Sequence, residues 1–345
     1  EALDLLDLVE KENPFNPTVW IFRGNIYLDK KMYDRSRECY ERAINIYPYY
    51  VNGYETLSNL YQIQKNFDKS EEIYNKGIQK CGESSELFNL LANHYKQKKE
   101  YDMAKSLYKK SIQLDKYNFI PFHNLGCLYK QKKQFDKAIE SFDKSLEINR
   151  YSMATLNNKG GVYLDQKDYE KAKQIYLKII NLDPFYSYSY INLGNICKAF
   201  LQYDNAMDFF EKGLKIKPNH MSTLNSKAFC LFSMGKYKEA IIGFQKLLEL
   251  DDKDKLHYCN VGRCFLNMGD LEKALEWINK GIEQDPKDGV VKFWKGHALL
   301  KLKRDFEFKE LIKKMIKEGE GEPNDLNKNL LKGYKLQLMY MKSRK

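Results

Sequence analysis

The sequence predicts an all-α solenoid of about nine 34-residue helix–turn–helix repeats, closed by a C-terminal capping helix. Three columns of residues recur every 34 positions and support this prediction. The first column is Ala104, Ala138, Ala172, Ala206, Ala240 and Ala274. The second is Gly24, Gly126, Gly160, Gly194, Gly262 and Gly296. The third is Pro14, Pro48, Pro184, Pro218 and Pro286. Because repeats lengthen a solenoid rather than enlarge one core, 345 residues need not form two globular domains.

Positions are counted within a repeat, with residue 153 as position 1. Each column then has a physical cause. Small residues at positions 8 and 20 let the two helices of a repeat approach closely. Aromatic residues at positions 11, 17 and 24 fill the space beside that contact. Proline at position 32 ends the second helix because it has no amide hydrogen and clashes with the preceding turn. Four boundaries have another residue there and should have softer helix ends: Gly82, Lys116, Arg150 and Asp252.

The register divides the chain into repeats and a terminal segment. Residues 1–16 supply only a second helix, so we expect the chain to be a fragment of a longer protein. The full repeats are 17–50, 51–84, 85–118, 119–152, 153–186, 187–220, 221–254 and 255–288, and 289–318 is a degenerate repeat. Residues 319–345 predict a short break and a basic capping helix, because the last unit of a solenoid must shield an open core end. The apolar face of that helix is Leu326, Leu330, Tyr334, Leu338 and Met341.

Composition narrows the setting in which the chain acts. The seven cysteines have no paired spacing, so a disulfide framework or a zinc site is not expected. We expect instead a reducing compartment, the cytoplasm or the nucleus. No run of about eighteen apolar residues predicts membrane insertion. The net charge is +11, and residues 301–345 contribute 13 Lys and Arg against 7 Asp and Glu. That basic end is either a solvated cap or a contact for an acidic partner.

The columns resemble the tetratricopeptide repeat. The resemblance is close in one repeat at Phe122, Leu125, Gly126, Tyr129, Ala138 and Phe142. It covers residues 1–318, with departures such as Lys159 and Lys227 where the family has leucine at position 7. The resemblance implies a right-handed superhelix in which positions 2, 5, 6, 9, 12 and 13 of each first helix face a concave groove that binds other proteins.

No constellation of residues predicts catalysis. The five histidines are scattered, and His94 lies at position 10, which is usually apolar in this chain, so we expect a core histidine. Gly160 and Gly161 belong to a repeat column and do not form a phosphate-binding loop. No H-E-x-x-H or C-x-x-C sequence occurs. The sequence therefore predicts a non-enzymatic chain without a cofactor or a metal.

Asparagine is the informative residue for function. Positions 5, 6 and 9 of the first helices offer 27 places and hold 11 asparagines, whereas 27 asparagines in 345 residues would give about two. Asparagine costs about 0.5 kcal/mol relative to alanine inside a helix, so helix formation alone does not favour it. Its amide can both donate to and accept from the backbone of an extended peptide.

These positions and nearby cations make up the predicted partner-binding residues. They are Asn89, Asn93, Asn124, Asn157, Asn158, Asn192, Asn195, Asn225, Asn260, Lys130, Lys198 and Arg263. The alternative is that an asparagine-rich repeat consensus leaves these amides solvated or bonded between repeats. Groove charges of both signs, basic in balance from the third repeat to the eighth, favour a mildly acidic ligand. An apolar wall of Phe229, Phe232, Leu256, Leu266 and Phe293 would suit a partner helix or pack internally.

The resemblance also excludes one way of binding. Family members that hold Hsp70 or Hsp90 tails use a carboxylate clamp with lysine at position 5, and no position 5 here is lysine. The sequence thus predicts a scaffold that binds an extended peptide or a partner helix as part of a larger assembly. The alternative is a substrate-docking arm of a longer enzyme, such as a glycosyltransferase or a phosphatase. Nucleic acid is not an expected partner, because the base-reading code of helical-repeat RNA readers is missing.

Overall fold

The computed structural model describes residues 2–319, which form nineteen α-helices and no strand. The helices are α1 (Ala2–Glu12), α2 (Pro17–Asp29), α3 (Tyr33–Ile46), α4 (Val51–Ile63), α5 (Phe67–Cys81), α6 (Ser85–Gln97), α7 (Tyr101–Leu114), α8 (Phe119–Gln131), α9 (Phe135–Ile148), α10 (Met153–Asp165), α11 (Tyr169–Leu182), α12 (Ser187–Ala199), α13 (Tyr203–Ile216), α14 (Met221–Ser233), α15 (Tyr237–Leu250), α16 (Lys255–Met268), α17 (Leu271–Gln284), α18 (Gly289–Lys301) and α19 (Asp305–Gly319). The capping helix predicted between Leu326 and Met341 lies outside the described residues.

Helices α2 to α19 form nine pairs in which the first helix starts at position 1 and the second at position 17. The connection within a pair is so short that the two helices must pack antiparallel. First helices also contact the first helix of the next pair, as α4 does with α2 and α6, and α16 with α18. Where these contacts join them, consecutive first helices lie side by side in one layer. The chain is the all-α helical solenoid that the sequence predicts.

Contacts divide the solenoid into two units, Glu1–Ile175 and Tyr176–Lys345, here called unit 1 and unit 2. The core of unit 1 is built around rings such as Tyr40, Tyr108 and Phe142, none of which is more than 1% exposed. In unit 2 the corresponding rings are Tyr176, Phe210 and Phe244, none of them more than 1% exposed. Within each unit, clusters of buried residues join consecutive repeats, so a repeat buries its aromatic residues partly against its neighbour.

The small residues at position 8 lie against the ring at position 24 of the same repeat. A Cβ atom added to Gly126 would lie 2.6 Å from Cε1 of Phe142, and one added to Gly194 would lie 2.5 Å from Cε1 of Phe210. Both distances are far shorter than a van der Waals contact, because the ring edge fills the place of a side chain. The glycine column is therefore required by the ring of the same repeat, whereas the sequence analysis attributed it to the close approach of the paired helices.

The turn inside each repeat depends on a left-handed residue at position 15. Its φ angle is positive in all nine repeats, although only Gly235 and Gly269 are glycines. The others are Lys31, Lys65, Lys99, Lys133, Lys167, Leu201 and Lys303. In the first of these turns the amide of Met32 donates to the carbonyl of Tyr27 at 2.9 Å, which ends α2. A side chain in this conformation costs roughly 1 kcal/mol.

Helix ends are not displaced where proline is missing at position 32, apart from one case. Helices α7, α9 and α15 end at position 30, as α3 and α11 do. Here the side chain at position 31 accepts the amide hydrogen of position 33, as between Asp115 and Tyr117 at 2.9 Å. The same Asx turn is present beside Pro184 and Pro286, where Asp183 accepts from the amide of Phe185 at 2.9 Å and Asp285 from that of Lys287 at 3.0 Å. It therefore follows these helices with or without proline. Only α5 is extended, to Cys81, and it ends at Gly82 with φ of +82°.

Candidate partner-binding face

The inner face is defined here as positions 2, 5, 6, 9, 12 and 13 of the first helices. In unit 1 it includes part of a groove of about 680 Å³. The lining residues are Cys127, Lys130, Gln131, Lys133, Phe135, Asn158 and Asp165. The structure thus brings together two predicted binding residues, Lys130 from α8 and Asn158 from α10. The Nζ atom of Lys130 lies 3.7 Å from a carboxylate oxygen of Asp165, so its charge is partly balanced.

Gly161 makes room for the Lys130 ammonium group. A Cβ atom added to Gly161 would lie 2.6 Å from Nζ of Lys130. The lysine side chain therefore crosses from α8 onto the surface of α10, where position 9 has no side chain. Sequence reasoning missed this role of Gly161. The signal was the loss of a side chain at position 9, which is asparagine in four other repeats.

Asparagines at position 9 in unit 1 support the tyrosine at position 24. The hydroxyl of Tyr108 donates to Oδ1 of Asn93 at 2.5 Å, and that of Tyr40 donates to Oδ1 of Asn25 at 2.7 Å. The hydroxyl of Tyr74 lies 3.5 Å from Oδ1 of Asn59. These asparagines satisfy hydroxyl groups of deeply buried rings. The pairing was visible in the sequence as asparagine at position 9 together with tyrosine at position 24.

Two further asparagines of unit 1 bond to each other across a repeat boundary. Nδ2 of Asn124 on α8 donates to Oδ1 of Asn89 on α6 at 2.9 Å. Asn89 is only 7% exposed. This bond is of the kind that the alternative interpretation of the asparagines predicts, a link between repeats. One N–H of Asn124 remains for solvent or for a ligand.

Other predicted asparagines make no side-chain hydrogen bond within residues 2–319. They are Asn157 and Asn158 in unit 1, and Asn192, Asn195 and Asn225 in unit 2. All five are half-buried. Oδ1 of Asn157 and Oδ1 of Asn225 are buried without a partner. Because the buried atom is the oxygen, the amide nitrogen is the group of these two side chains that is left for a ligand.

In unit 2, Arg263 on α16 lies between two aromatic rings from neighbouring repeats. Its guanidinium carbon is 5.1 Å from the ring centre of Phe232 on α14 and 4.5 Å from that of Trp294 on α18. Nη1 donates to Oδ1 of Asn260 at 3.0 Å, while Nε is buried without an acceptor. Sequence reasoning did not single out Trp294, because its place beside Arg263 depends on the stacking of three repeats.

The predicted apolar wall of unit 2 packs mostly into the core. The ring of Phe229 lies 5.2 Å from that of Phe244, and Leu266 is 3% exposed. Phe293 packs on Trp294 with ring centres 5.3 Å apart. Leu256 is 44% exposed. The wall therefore offers little apolar surface to a partner helix.

Family models of the tetratricopeptide repeat match seven segments of the chain. The segments are 17–50, 85–118, 121–152, 154–186, 187–220, 222–254 and 258–288. They cover more than half of the sequence. The chain belongs to the tetratricopeptide repeat family. Repeats of this family make it a protein–protein interaction scaffold. A search of the curated proteins gives no match.

Three solved structures are similar to this chain, and the first of them, with a TM-score of 0.56, shares its fold. One is a tetratricopeptide repeat protein from Parabacteroides merdae, 19% identical over 73% of this chain and 98% of its own, with a TM-score of 0.56. Another is YrrB, described as a TPR protein with an unusual peptide-binding site, 23% identical over 53% of this chain and 95% of its own, with a TM-score of 0.43. A third is the MamA protein, 21% identical over 49% and 92%, with a TM-score of 0.44. At these identities the likeness concerns the fold alone.

The inner faces of the two units of this tetratricopeptide repeat protein differ in charge. In unit 1 the face has four acidic residues, Asp29, Glu55, Glu86 and Asp165, and two basic ones, Lys96 and Lys130. In unit 2 it has Lys198, Arg263 and Lys301, and no aspartate or glutamate. Burial and the neighbouring charge of Glu86 raise the pKa of Glu55. Lys198 and Arg263 are half-buried and have no ion pair within residues 2–319.

Two arrangements in unit 1 have the residue types of a catalytic site but not its chemistry. Nδ1 of His94 lies 3.0 Å from Oγ of Ser70, and Nε2 lies 3.9 Å from Glu71. Ser70 and His94 are fully buried, so no substrate reaches the hydroxyl, and burial lowers the pKa of His94. His94 is the core histidine that the sequence predicts.

The second arrangement is a thiol beside an imidazole. Sγ of Cys127 lies 3.5 Å from Nε2 of His123. Burial raises the pKa of Cys127 and lowers that of His123, so both groups are neutral and no thiolate is activated. Within residues 2–319 no three His, Cys, Asp or Glu residues are grouped to hold a metal ion. Every helix in the same range is too short or too polar to cross a lipid bilayer.

Proposed function

We propose that this chain is a non-catalytic scaffold that binds an extended peptide segment along its inner faces, as part of a larger assembly. The observation that carries the proposal is the set of unbonded asparagine amides on half-buried first-helix positions. Asn158, Asn192 and Asn195 make no side-chain hydrogen bond within the described residues. Their helices would be more stable with alanine at these places, so a ligand is the best reason for them.

An extended peptide is the partner whose chemistry fits these amides. Each peptide residue offers one N–H and one C=O group, and an asparagine side chain can pair with both. Such pairing is independent of the side chains of the peptide, which suits a scaffold that holds a segment by its backbone. Cations add selectivity, because Lys198 and Arg263 have no carboxylate partner within residues 2–319. A mildly acidic segment is therefore favoured for unit 2.

The thiol groups fit a reducing compartment, the cytoplasm or the nucleus. All seven cysteines are free, and four of them are buried. Burial raises the pKa of Cys259 and Cys264 to about 12, so both stay protonated and unreactive. Such thiols act as small apolar side chains in the core.

A triple variant of the unbonded asparagines tests the proposal. Asn158, Asn192 and Asn195 are replaced by alanine, and the control variant replaces the exposed Asn75, Asn205 and Asn219. Proteins bound to each tagged full chain are quantified by mass spectrometry. We expect the first variant to lose partners that the wild type and the control retain, with a melting temperature no lower than that of the wild type, because alanine favours a helix more than asparagine does. Equal partner profiles for both variants would show that these amides do not bind the partner.

A further inference from the structure

Arg263 carries a half-buried positive charge that has no ion pair within residues 2–319. Its guanidinium group is held between Phe232 and Trp294, and Asn260 accepts one of its hydrogen bonds. Both ring centres lie within 5.1 Å of the guanidinium carbon, so the rings shield the group from water on the sides that they cover. The Asn260 oxygen is neutral, and no carboxylate within residues 2–319 pairs with this arginine.

A second arginine also lies against a tryptophan, but its charge is neutralised by carboxylates of the protein. Arg23 in unit 1 also lies over a tryptophan, with its guanidinium carbon 4.6 Å from the ring centre of Trp20. It forms ion pairs with Asp7 at 2.5 Å and with Glu10 at 2.9 Å. Arg263 has the rings without the carboxylates. A half-buried cation without a counter-ion is costly unless something outside the described residues supplies the negative charge.

The surroundings of Arg263 repel cations and attract anions. The inner face of unit 2 has no aspartate or glutamate, and Lys198 and Lys301 add charge of the same sign as Arg263. Other arginines without an ion pair within residues 2–319, such as Arg35 and Arg150, are exposed, where water solvates the charge. Arg263 therefore combines confinement between rings, an unsatisfied donor and a local field that favours an anion.

We propose that Arg263 binds a side-chain carboxylate, from aspartate or glutamate, of a peptide segment that passes along the inner face of unit 2. The carboxylate would accept hydrogen bonds from the N–H groups that Asn260 does not use. Inner-face positions continue on both sides of Arg263, with Asn225 before it and His297 after it along the repeats. A passing segment is therefore favoured over one that ends here. The inference rests on the proposed function and names the chemistry of the partner at this one place.

Two capped peptides, acetylated and amidated, serve as probes of the full chain. One is ten glutamates long, and the other replaces every glutamate by glutamine. Binding is followed by calorimetry and by tryptophan fluorescence, because Trp294 borders the site. We expect the glutamate peptide to bind and the glutamine peptide not to bind. Arg263→Gln should weaken binding about ten-fold, and Arg263→Lys several-fold, because an ammonium group lacks the planar fork.

Arg150→Gln is the matched control, since it removes the same charge from an exposed arginine in unit 1. If Arg263→Gln does not fold, Arg263→Lys is compared with Arg150→Lys. Equal losses at both positions would mean general attraction to a polyanion and would overturn the site. Equal competition by inorganic phosphate and by acetate would show an unselective anion site and would also overturn the proposal. Binding only to a peptide with a free C-terminus would assign the carboxylate to a chain end instead of a side chain.

The same variants distinguish this inference from the proposed function. In the partner-capture experiment, Arg263→Gln should lose a subset of the partners that depend on Asn192 and Asn195. Loss of partners with the asparagine variant but not with Arg263→Gln would overturn the carboxylate site and leave the scaffold in place. No loss with either variant would contradict both.

Discussion

The asparagines of unit 1 and unit 2 occupy the same repeat positions but differ in what they contact. In unit 1 most of them are bonded to protein: Asn25, Asn59 and Asn93 to tyrosines, and Asn89 and Asn124 to each other. In unit 2 only Asn260 is bonded, to Arg263, and the side chains of Asn192, Asn195 and Asn225 make no hydrogen bond within the described residues. The hydroxyl at position 24 makes the difference at position 9, because tyrosine needs an acceptor and phenylalanine does not. An identical repeat column can thus support the fold in one unit and remain available in the other.

The largest expected effect separates Asn93 from Asn195. Asn93→Ala leaves the hydroxyl of the fully buried Tyr108 without its acceptor, and should lower the free energy of unfolding by about 2 kcal/mol. The side chain of Asn195 makes no hydrogen bond within residues 2–319, and position 24 of its repeat is Phe210, which has no hydroxyl group. Asn195→Ala should therefore change the free energy of unfolding by less than about 0.5 kcal/mol. Urea denaturation followed by circular dichroism measures both.

A double variant checks the cause of the Asn93 effect. Adding Tyr108→Phe to Asn93→Ala removes both partners, so most of the lost stability should return. A double variant as unstable as the single one would show that the hydroxyl–amide bond is not responsible.

Acidification should destabilise unit 1 through His94. Burial lowers the pKa of His94 in the folded chain, whereas the unfolded imidazole titrates at about 6.5. Unfolding therefore takes up a proton once the pH falls below about 6.5, and the free energy of unfolding decreases until the folded pKa is reached. The slope is at most about 1.4 kcal/mol per pH unit for each histidine. Melting temperatures between pH 7.5 and 5 measure it.

The control for this pH effect is His94→Gln. Glutamine does not titrate in this range, so the pH dependence should be smaller by the contribution of His94. His123 also has its pKa lowered by burial and will leave part of the slope. An unchanged slope in the His94→Gln variant would contradict the assignment.

Phe210→Tyr would make unit 2 resemble unit 1. The new hydroxyl should donate to Asn195, as Tyr40 donates to Asn25, and should raise the free energy of unfolding by about 1 kcal/mol. The same bond would occupy the amide oxygen of Asn195 and reduce partner capture. Phe142→Tyr is the matched control, because position 9 of its repeat is Cys127 instead of asparagine, and it should not gain this stability. Gain of stability with undiminished capture would show that Asn195 does not bind the partner.

The smallest expected effect concerns the left-handed residue at position 15. Unit 1 has lysine there in every repeat, whereas unit 2 has glycine at Gly235 and Gly269. Lys65→Gly should raise the free energy of unfolding by roughly 0.5 kcal/mol, because the relief of strain exceeds the added entropy of the unfolded chain. Gly269→Ala should lower it by about 1 kcal/mol. Thermal melts of both variants test the sign.

The fold could be predicted from the sequence because each repeat satisfies its own local rules. Glycine against the ring at position 24 and an alanine column between paired helices recur often enough to reveal the period. The Asx turn was missed although its signal follows the same period. Position 31 is aspartate or asparagine in five repeats, at Asp115, Asn149, Asp183, Asp251 and Asp285. Softer helix ends were expected wherever proline is missing, yet only α5 is extended.

The candidate site was only partly predictable, since the neighbours of a side chain depend on how repeats stack. Asn93 looked the same as Asn195 in the sequence, and only the hydroxyl of Tyr108 distinguishes them. Arg263 was included among the cations, but its two aromatic neighbours come from the preceding and the following repeats. Pairs of positions such as 9 and 24 within a repeat are therefore the signal that sequence reasoning should add.

The hydrogen bond from Asn124 to Asn89 has a mechanical consequence. It joins two consecutive first helices through the side chains that a bound segment would contact. A segment that takes over either amide must loosen this junction, and one that uses the remaining N–H of Asn124 would stiffen it. A segment bound to unit 1 would then change the stiffness of the junction between these two repeats, and with it how readily this part of the chain bends.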